Sequence, residues 1–180
     1  MPSASLLRLN RHLLPNVLVV GGAPDERAAM VRTLHRQSLV AVWPLCALEA
    51  RGHAAVLERA LLFWLGHSSR PPLLECERGT LFVDDIAALP TGVQRLLLRL
   101  SRRAEGVPAA ARRGPGPARF AAGSSTDLTD EVARGRLLPD LFDSLEKLSI
   151  HLGPARRVQS PRLAPLAGAF APLMPTPGLA

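Results

Sequence analysis

Residues 79–100 read GTLFVDDIAALPTGVQRLLLRL, and this stretch decides the fold. Its first part, 80–83, is a short apolar run that predicts a buried strand, and the strand closes on Asp84 and Asp85. Its second part follows Pro90 and has the spacing of an amphipathic helix. The stripe of apolar residues that this helix would bury includes Leu96, Leu97 and Leu100.

The same alternation of apolar runs and amphipathic stretches continues on both sides. Four further strands are predicted, at 16–20, 39–43, 119–123 and 148–152. Helices are predicted at 25–37 and 47–65, and one or two more at 127–145. The repetition predicts an α/β fold in which helices cover a parallel sheet. Ligands of such sheets bind beyond the carboxyl ends of the strands, here the residues after 16–20 and after 80–83.

The composition indicates one domain. The chain has 180 residues, of which 47% are apolar, enough for a sizeable core. Its 22 basic and 15 acidic residues give a net charge of +7, and every cation except Lys147 is an arginine. There is no tyrosine, and aromatic residues make up 4%, so the stacking platforms of a single-strand nucleic acid binder are lacking. We interpret the arginines as the surface of an ordinary soluble domain.

Neither a zinc site nor a membrane segment is predicted. Cys46 and Cys76 lie far apart in the sequence without a CxxC pattern, and we expect both to be buried, reduced thiols. The amino terminus carries Arg8 and Arg11 within its apolar stretch, unlike a signal peptide. Residues 163–180 are uncharged but contain several prolines, so they do not predict a membrane helix. The expected location is the cytoplasm.

Three blocks of the sequence resemble the sigma-54-dependent transcription activators, a branch of the AAA+ ATPases. They are VLVVGGAPDERAAMVRTLHRQS at 17–38, the stretch at 79–100, and ARFAAGSSTDLTDEVARGRLLPDLFDSLEKLSIHLGP at 118–154. The resemblance implies a three-layer sandwich around a parallel, five-stranded AAA+ sheet of strand order 5-1-4-3-2. It also implies a truncated core domain at 1–155 that lacks the family's helical lid. We expect the Pro/Ala-rich tail at 156–180 to be flexible.

By that resemblance, the phosphate-binding loop G-x-x-x-x-G-K-[ST] corresponds to residues 21–28, GGAPDERA. The first glycine is kept as Gly21, but Glu26 replaces the second glycine and Arg27 replaces the lysine. Pro24 removes a backbone donor, and two carboxylates add negative charge where a triphosphate would lie. The resemblance therefore implies a degenerate nucleotide site. Its candidate binding residues are Gly21, Gly22, Arg27, Asp84 and Ser125.

The acidic residues of this loop have a second interpretation, which the sequence leaves open. Asp25 is expected to be the N-cap of the following helix, and Glu26 to add charge to the first helical turn. In that role the carboxylates replace the missing phosphate as partners of the helix amides. The alternative is a residual contact with a nucleotide.

The resemblance assigns the strand-end carboxylates to catalysis. In the family the first, here Asp84, helps to hold Mg²⁺, and the second, normally Glu and here Asp85, polarises the attacking water. Asp85 is the catalytic candidate although it is one methylene shorter. Asp84 is the magnesium candidate although Ala28 lacks the hydroxyl that would share the ion. The alternative is that both carboxylates cap the turn before Pro90.

Further catalytic positions of the family are replaced as well. Ser125 stands where sensor 1 usually presents asparagine. The two trans-acting arginines fall on Leu138 and Ser144, and the nearby Arg134 and Arg136 are expected to lie at a solvated helix end. Without an arginine finger, hydrolysis across a subunit interface lacks its electrophile. We therefore lean against an active ATPase and expect no cofactor, with ATP and Mg²⁺ relevant only if the degenerate site still binds them.

The partner that this family contacts is also in question. Its sigma-54 contact loop would follow Gly66 and His67, but only residues 68–70 separate His67 from a pair of prolines. No helix-turn-helix module is predicted after residue 155, so direct DNA reading is not expected.

The expected function is a sigma-54 activator-like AAA+ domain in transcription regulation, which is defective in ATP hydrolysis and contacts AAA+ activator subunits or another regulatory protein. Two alternatives stay open: a weak ATP-binding protein or ATPase with an altered phosphate loop, and an inactive decayed paralogue.

Overall fold

The structure, a computed structural model, describes residues 15–69, 76–104 and 115–153. The five strands within these ranges are β1 (Val17–Val20), β2 (Leu45–Glu49), β3 (Thr80–Asp84), β4 (Arg119–Ser124) and β5 (Ser149–His151). The α-helices are α1 (Pro24–Arg36), α2 (Ala50–Trp64), α3 (Thr91–Ala104), α4 (Thr129–Ala133) and α5 (Pro139–Leu145). A short 3-10 helix, Ile86–Ala88, follows β3.

The strands form one parallel sheet in the order β2-β3-β4-β1-β5. This is the order 5-1-4-3-2 seen from the other edge, so the predicted α/β fold and strand order are confirmed. The strands β3, β4 and β1 are inner strands and are almost wholly buried, because helices cover both faces of the sheet. Because the strands are parallel, their carboxyl ends lie along one side of the sheet, called here its carboxyl edge. Residues that follow different strands meet there.

The two faces of the sheet are covered unequally. On one face α1 is the one described helix, and it packs through Val31 and Leu34 against Val17, Val19 and Phe82. On the other face α2, α3 and α5 form the larger core, which includes Leu61, Trp64, Leu97, Phe120 and Leu141. Among the described residues, the sheet is therefore the middle layer of a three-layer sandwich.

The strand predicted at 39–43 is wrong. Residues 38–43 form successive turns, in which Ala41 N–H donates to the Ser38 carbonyl and Trp43 N–H donates to the Val40 carbonyl. The strand begins only after Pro44, and the helix predicted at 47–65 begins at residue 50 instead. The physical reason is that β2 is an edge strand with a half-exposed surface. The segment LCALE is itself mostly apolar, so pairing with β3, and not a difference in hydrophobicity, selects it over residues 39–43.

Other expectations have a clearer outcome. The leucine stripe of α3 is confirmed, since Leu97 and Leu100 are buried and Leu96 packs at the edge of the same core. The segment 127–145 contains two helices, α4 and α5. Residues 105–114 and the whole tail at 156–180 lie outside the described residues. In the described part of the chain, no helix has both the length and the apolar character needed to cross a membrane.

The two cysteines are not joined by a disulfide. Cys76 is buried, as predicted, but Cys46 on β2 is only half-buried. The expectation that both thiols are buried is therefore wrong for Cys46. The cause is again its position on the edge strand, where one side of the chain has no neighbouring strand among the described residues.

Candidate functional site

A pair of glycines turns the chain from β1 into α1. Gly21 and Gly22 have φ angles of +83° and +67°, in the left-handed region that favours glycine. A Cβ atom on Gly21 would lie 2.7 Å from the carbonyl oxygen of Leu152, which follows β5. The turn is thus closed against the end of the neighbouring strand, and only glycine satisfies both requirements at residue 21.

Helix α1 begins earlier than predicted. Its N-cap is Ala23 and its first residue is Pro24, so the expectation that Asp25 is the N-cap is wrong. Proline suits the first helical position because its φ is already helical and the N–H that it lacks has no partner there. Glu26 does take the predicted role, since its carboxylate accepts a hydrogen bond of 2.7 Å from the Ala23 N–H. Asp25 is exposed.

Arg27 and Asp84 form a bidentate ion pair across the carboxyl edge of the sheet. Arg27 Nε donates to Asp84 Oδ1 at 2.7 Å, and Arg27 Nη2 donates to Asp84 Oδ2 at 2.8 Å. The side chains are only 4% and 12% exposed, respectively. Parallel hydrogen bonds between a guanidinium and a carboxylate are among the strongest in proteins, and burial protects this pair from screening by salt.

The remaining polar groups of the loop are also engaged by the protein itself. Arg27 Nη1 donates to the Gly22 carbonyl at 2.7 Å and to the Gly21 carbonyl at 3.3 Å. The Gly21 N–H donates to the carbonyl of Ser124, at the end of β4, at 2.8 Å. The loop therefore wraps around the guanidinium of Arg27 and presents carbonyl oxygens to it.

Gly123 on β4 makes room for this ion pair, and the sequence interpretation missed it. A Cβ atom at this position would lie 2.0 Å from Asp84 Oδ1 and 3.0 Å from Phe82 Cζ. The Asp84 carboxylate thus rests directly on the backbone of β4. A glycine within an otherwise buried strand is a known sign of such a close approach, and the stretch RFAAGS at 119–124 contains that sign.

Asp85 belongs to a different interaction. It has a left-handed φ of 55°, and its Oδ2 accepts a hydrogen bond of 2.7 Å from Arg51 Nε on α2. This hydrogen bond raises the pKa of Arg51. The Asp85 carbonyl accepts from the Ala88 N–H, so its backbone opens the 3-10 turn before Leu89. The expectation that the carboxylates of Asp84 and Asp85 cap this turn is wrong, because each carboxylate binds an arginine instead.

Ser125 does not take part in the same network. It is exposed one residue beyond β4, whereas its neighbour Ser124 is buried. The hydroxyl of Ser124 donates to the Thr126 carbonyl at 2.7 Å and accepts from the Thr126 N–H at 3.2 Å. The structure therefore connects four predicted site residues by hydrogen bonds, namely Gly21, Gly22, Arg27 and Asp84, and leaves Asp85 and Ser125 outside that cluster.

The two positions of the trans-acting arginines face the protein interior. Ser144 is buried on α5, where its hydroxyl contacts Ser101 Oγ at 2.9 Å and accepts a hydrogen bond from Asn16 Nδ2. Leu138 is half-buried, and its N–H donates to Gln94 Oε1 at 2.9 Å.

The arginines close to these positions lie on the surface. Arg134 and Arg136 are exposed at the end of α4 and pair with Glu131, which confirms their placement at a solvated helix end. The ion pair with Arg136 lowers the pKa of Glu131. Within the described ranges, no group of three His, Cys, Asp or Glu side chains is arranged to hold a metal ion.

Comparison with protein families finds one match. The model of the sigma-54 interaction domain matches residues 10–151. Among curated proteins, the DNA-binding transcriptional regulator NtrC of Escherichia coli (strain K12) is 30% identical over 173 residues, 87% of this chain and 36% of that protein. A limonene hydroxylase of Geobacillus stearothermophilus is 30% identical over 152 residues, 78% of this chain and 28% of that protein. The chain spans about a third of the length of these relatives.

Solved structures show the same fold. A crystal structure of NtrX from Brucella abortus in complex with ATP superposes with a TM-score of 0.60 at 18% identity, covering 82% of this chain and 35% of that one. The P-loop NTPase domain of a sigma-54 activator from E. coli superposes with a TM-score of 0.57 at 16% identity, covering 83% and 91%. At such low identity the likeness concerns the fold alone.

Proposed function

Because the chain belongs to the sigma-54 interaction domain family, we propose that it is a transcription-regulatory module that does not hydrolyse ATP and acts through contact with another protein. The family supplies the regulatory context. The residues of the phosphate loop support the loss of hydrolysis, and an exposed apolar patch supports the contact.

The observation that carries the proposal is the bidentate pair of Arg27 and Asp84. By resemblance, Arg27 stands where a lysine would meet the phosphates, and Asp84 where a carboxylate would help to hold Mg²⁺. Here the two side chains satisfy each other in a buried setting. Any ligand must first break this pair, and breaking a buried ion pair exposes an uncompensated charge at a cost of about 3–5 kcal/mol.

A magnesium–triphosphate group does not suit this arrangement. Gly21 and Gly22 direct their carbonyl oxygens toward Arg27, and a phosphate needs N–H donors instead. The Ala23 N–H, which would be one such donor, is taken by the Glu26 carboxylate. Both oxygens of Asp84 accept from Arg27 and compete for the same lone pairs as a metal ion. We therefore derive no catalytic step through ATP or Mg²⁺.

Hydrolysis in trans is also unsupported by the residues at the arginine-finger positions. Leu138 carries no charge, and Ser144 is buried between Asn16 and Ser101. The exposed arginines nearby, Arg134 and Arg136, are engaged by Glu131. An arginine finger contributes roughly 10³–10⁵ to the rate in the enzymes that use one, so its loss alone would remove most activity.

The partner that we propose is an AAA+ activator subunit in the bacterial cytoplasm, where transcription takes place. Support comes from an apolar patch that consists of Leu39, Val42 and Trp43, with 57%, 86% and 41% of each residue exposed. These are the large apolar residues that the described chain exposes most, and all three lie in one loop beside the edge strand β2. Clustered exposed apolar residues of this kind mark protein contact surfaces.

Calorimetric titration with Mg·ATP tests the proposal, together with an assay of phosphate release. The purified chain is expected to show no saturable binding with a Kd below about 100 μM, which corresponds to about 5.5 kcal/mol, and no turnover. The variant Arg51→Ala, which breaks the exposed pair with Asp85, is a matched control and should behave identically. Turnover by the wild type that disappears in Arg27→Ala would overturn the proposal.

The same assays separate the two alternatives. Saturable binding of Mg·ATP by the wild-type chain, lost in Asp84→Asn, would identify a weak nucleotide-binding protein. In such a protein, the nucleotide would separate Arg27 from Asp84 when it binds. Capture of an intact AAA+ activator subunit without nucleotide binding supports the proposed module. If the chain neither binds Mg·ATP nor captures an activator subunit, the result would instead identify a decayed paralogue.

A further inference from the structure

The two cysteines of the chain meet in space. Cys46 lies on β2, and Cys76 lies shortly before β3. Because Leu45 is aligned with Thr80 in the parallel pairing, the chain that leads into β3 passes beside the first residues of β2. The Thr80 N–H donates to the Pro44 carbonyl at 3.1 Å, and Cys46 packs against the core cluster that contains Cys76. In this arrangement the thiol of Cys76 donates a hydrogen bond to the sulfur of Cys46. No disulfide joins the two sulfur atoms.

The environments of the two thiols are unequal. Cys76 is fully buried, whereas Cys46 is half-buried on the edge strand. The hydrogen bond to Cys46 raises the pKa of Cys76 far above its ordinary value, and burial adds to the effect. Cys76 therefore keeps its proton. Because Cys46 is half-buried and Cys76 is fully buried, Cys46 is the sulfur that a small oxidant from solution reaches first.

We propose that Cys46 and Cys76 are a peroxide-reactive dithiol that closes reversibly to a disulfide. The Cys46 sulfur, in its deprotonated form, attacks one oxygen of a hydroperoxide and the O–O bond breaks. The attacked oxygen stays on Cys46 as a sulfenic acid, and the other oxygen leaves as hydroxide or alkoxide. The Cys76 sulfur then attacks the Cys46 sulfur, its proton combines with the departing hydroxide, and water leaves as the S–S bond forms. Both sulfur atoms are oxidised, and the peroxide oxygens are reduced. A small thiol reverses the step by exchange.

The fold permits this closure at low cost. The sulfur atoms must approach from hydrogen-bonding distance to about 2 Å. One of them lies on β2, which among the described residues is hydrogen-bonded to a neighbour on one side only, so a small shift of β2 does not disturb the inner strands. The bond would tie the edge strand to the chain before β3 and enclose helix α2. The inference rests on the fold and is independent of the proposed function.

Mass spectrometry of the full chain before and after mild treatment with hydrogen peroxide tests the inference. The expected product is a monomer that has lost two hydrogen atoms, contains a peptide pair joined through Cys46 and Cys76, and regains its original mass with a phosphine reductant. Unfolding in urea should shift to a higher midpoint after oxidation and return after reduction, because the cross-link restricts the unfolded chain.

Two single variants distinguish the roles of the thiols. In Cys76→Ser, peroxide should leave Cys46 as a sulfenic acid that a dimedone probe traps, since no second thiol resolves it. In Cys46→Ser, Cys76 should resist both peroxide and alkylation until the protein is unfolded. If a variant does not fold, the mass spectrometry of the peroxide-treated wild-type chain still tests whether Cys46 and Cys76 form a disulfide. Two outcomes would overturn the inference: Cys46 gains oxygen atoms while Cys76 stays reduced, or Cys46 forms a disulfide between two chains while Cys76 stays reduced.

Discussion

At the scale of single residues, the replacement of the phosphate-loop lysine by Arg27 has a specific physical effect. A lysine ammonium is a compact charge on a flexible stem, whereas the planar fork of arginine matches a carboxylate with two parallel hydrogen bonds. Arg27 uses two of its nitrogens on Asp84 and the third on the Gly22 carbonyl. The substitution keeps the charge but directs it toward an internal partner.

Arg27→Ala should lower the free energy of unfolding by about 3 kcal/mol, because it leaves the Asp84 carboxylate buried without its partner. Asp84→Ala should have a similar effect for the same reason. The double variant should lose clearly less than the sum of the two, which a double-mutant cycle by urea unfolding measures. The exposed pair of Arg51 and Asp85 supplies the control cycle, for which little coupling is expected. Additive losses at Arg27 and Asp84 would contradict the pairing.

Gly123→Ala should destabilise the protein by about 1–3 kcal/mol, because the new methyl group would displace the Asp84 carboxylate and the Phe82 ring. Gly92→Ala is the matched control. Gly92 lies in the first turn of α3 with nothing within 4 Å of an added Cβ, so alanine should be neutral or stabilising there. Thermal unfolding of both variants measures the difference, and equal melting temperatures would argue against close contact between Asp84 and β4.

At the scale of elements, α1 is held to the sheet by a buried polar contact at each end. Arg27, near its first residue, binds Asp84 at the carboxyl edge of β3. His35, in its last turn, shares a hydrogen bond of 2.9 Å between Nδ1 and the Thr80 hydroxyl at the other end of the same strand. Because hydrophobic contacts alone tolerate sliding, the two polar contacts fix the helix along β3.

Stability should depend on the protonation of His35. Burial lowers its pKa below the ordinary value of 6.5, with a smaller contribution from the charge of Arg119, while a hydrogen bond to the Trp43 backbone partly offsets this. The unfolded chain therefore binds the proton first, so this contribution to stability is complete above pH 6.5 and is lost as the pH falls below it.

His35→Gln should accordingly lose less stability than the wild type between about pH 7.5 and pH 5.5, as urea unfolding at both values measures. Other acid-sensitive groups contribute equally to both proteins and cancel in the comparison. His53→Gln, at an exposed position on α2, should follow the wild type and serves as the control. An unchanged pH dependence in His35→Gln would mean that His35 binds its proton equally in both states.

At the scale of the whole molecule, two surfaces differ in character. At the carboxyl ends of the strands, the buried polar groups of Arg27 and Asp84 are hydrogen-bonded to each other, and beside β2 lies an exposed apolar patch. The patch is Leu39, Val42 and Trp43, of which Trp43 already stacks under Arg78 at 5.2 Å from its ring centre. These residues contribute little to the core because they are exposed. Exposure of these apolar side chains to water lowers the solubility of the protein, and a bound partner would cover them.

Val42→Lys should leave the melting temperature unchanged and abolish capture of an AAA+ activator subunit by the purified chain. Val42 is the most exposed of the three, and a buried lysine at a contact surface would lack a partner. Arg99→Ala, at an exposed position on α3, should capture the subunit as the wild type does. Undiminished capture by Val42→Lys would place the contact surface elsewhere.

The sequence alone determined the α/β class, four of the five strands and the leucine stripe of α3, because each depends on local periodicity. Resemblance added the strand order. Local pattern failed at β2, because two neighbouring segments are both mainly apolar: residues 39–43 lie in a loop, and LCALE at 45–49 forms the strand. Pairing between distant segments, which no short window of sequence contains, decides such an edge strand.

For the candidate site, too, the sequence determined one part and the tertiary structure another. Residue types identified Arg27, Asp84 and Glu26 as candidates, but left open whether Asp84 and Glu26 contact a ligand or cap the local turn and helix. Only the tertiary structure decided that the guanidinium reaches Asp84, that Gly123 makes room for the carboxylate, and that Cys46 meets Cys76. The reason is that hydrogen bonds and steric contacts depend on distances of a few tenths of an ångström, which arise only when β3, β4 and α1 are packed together.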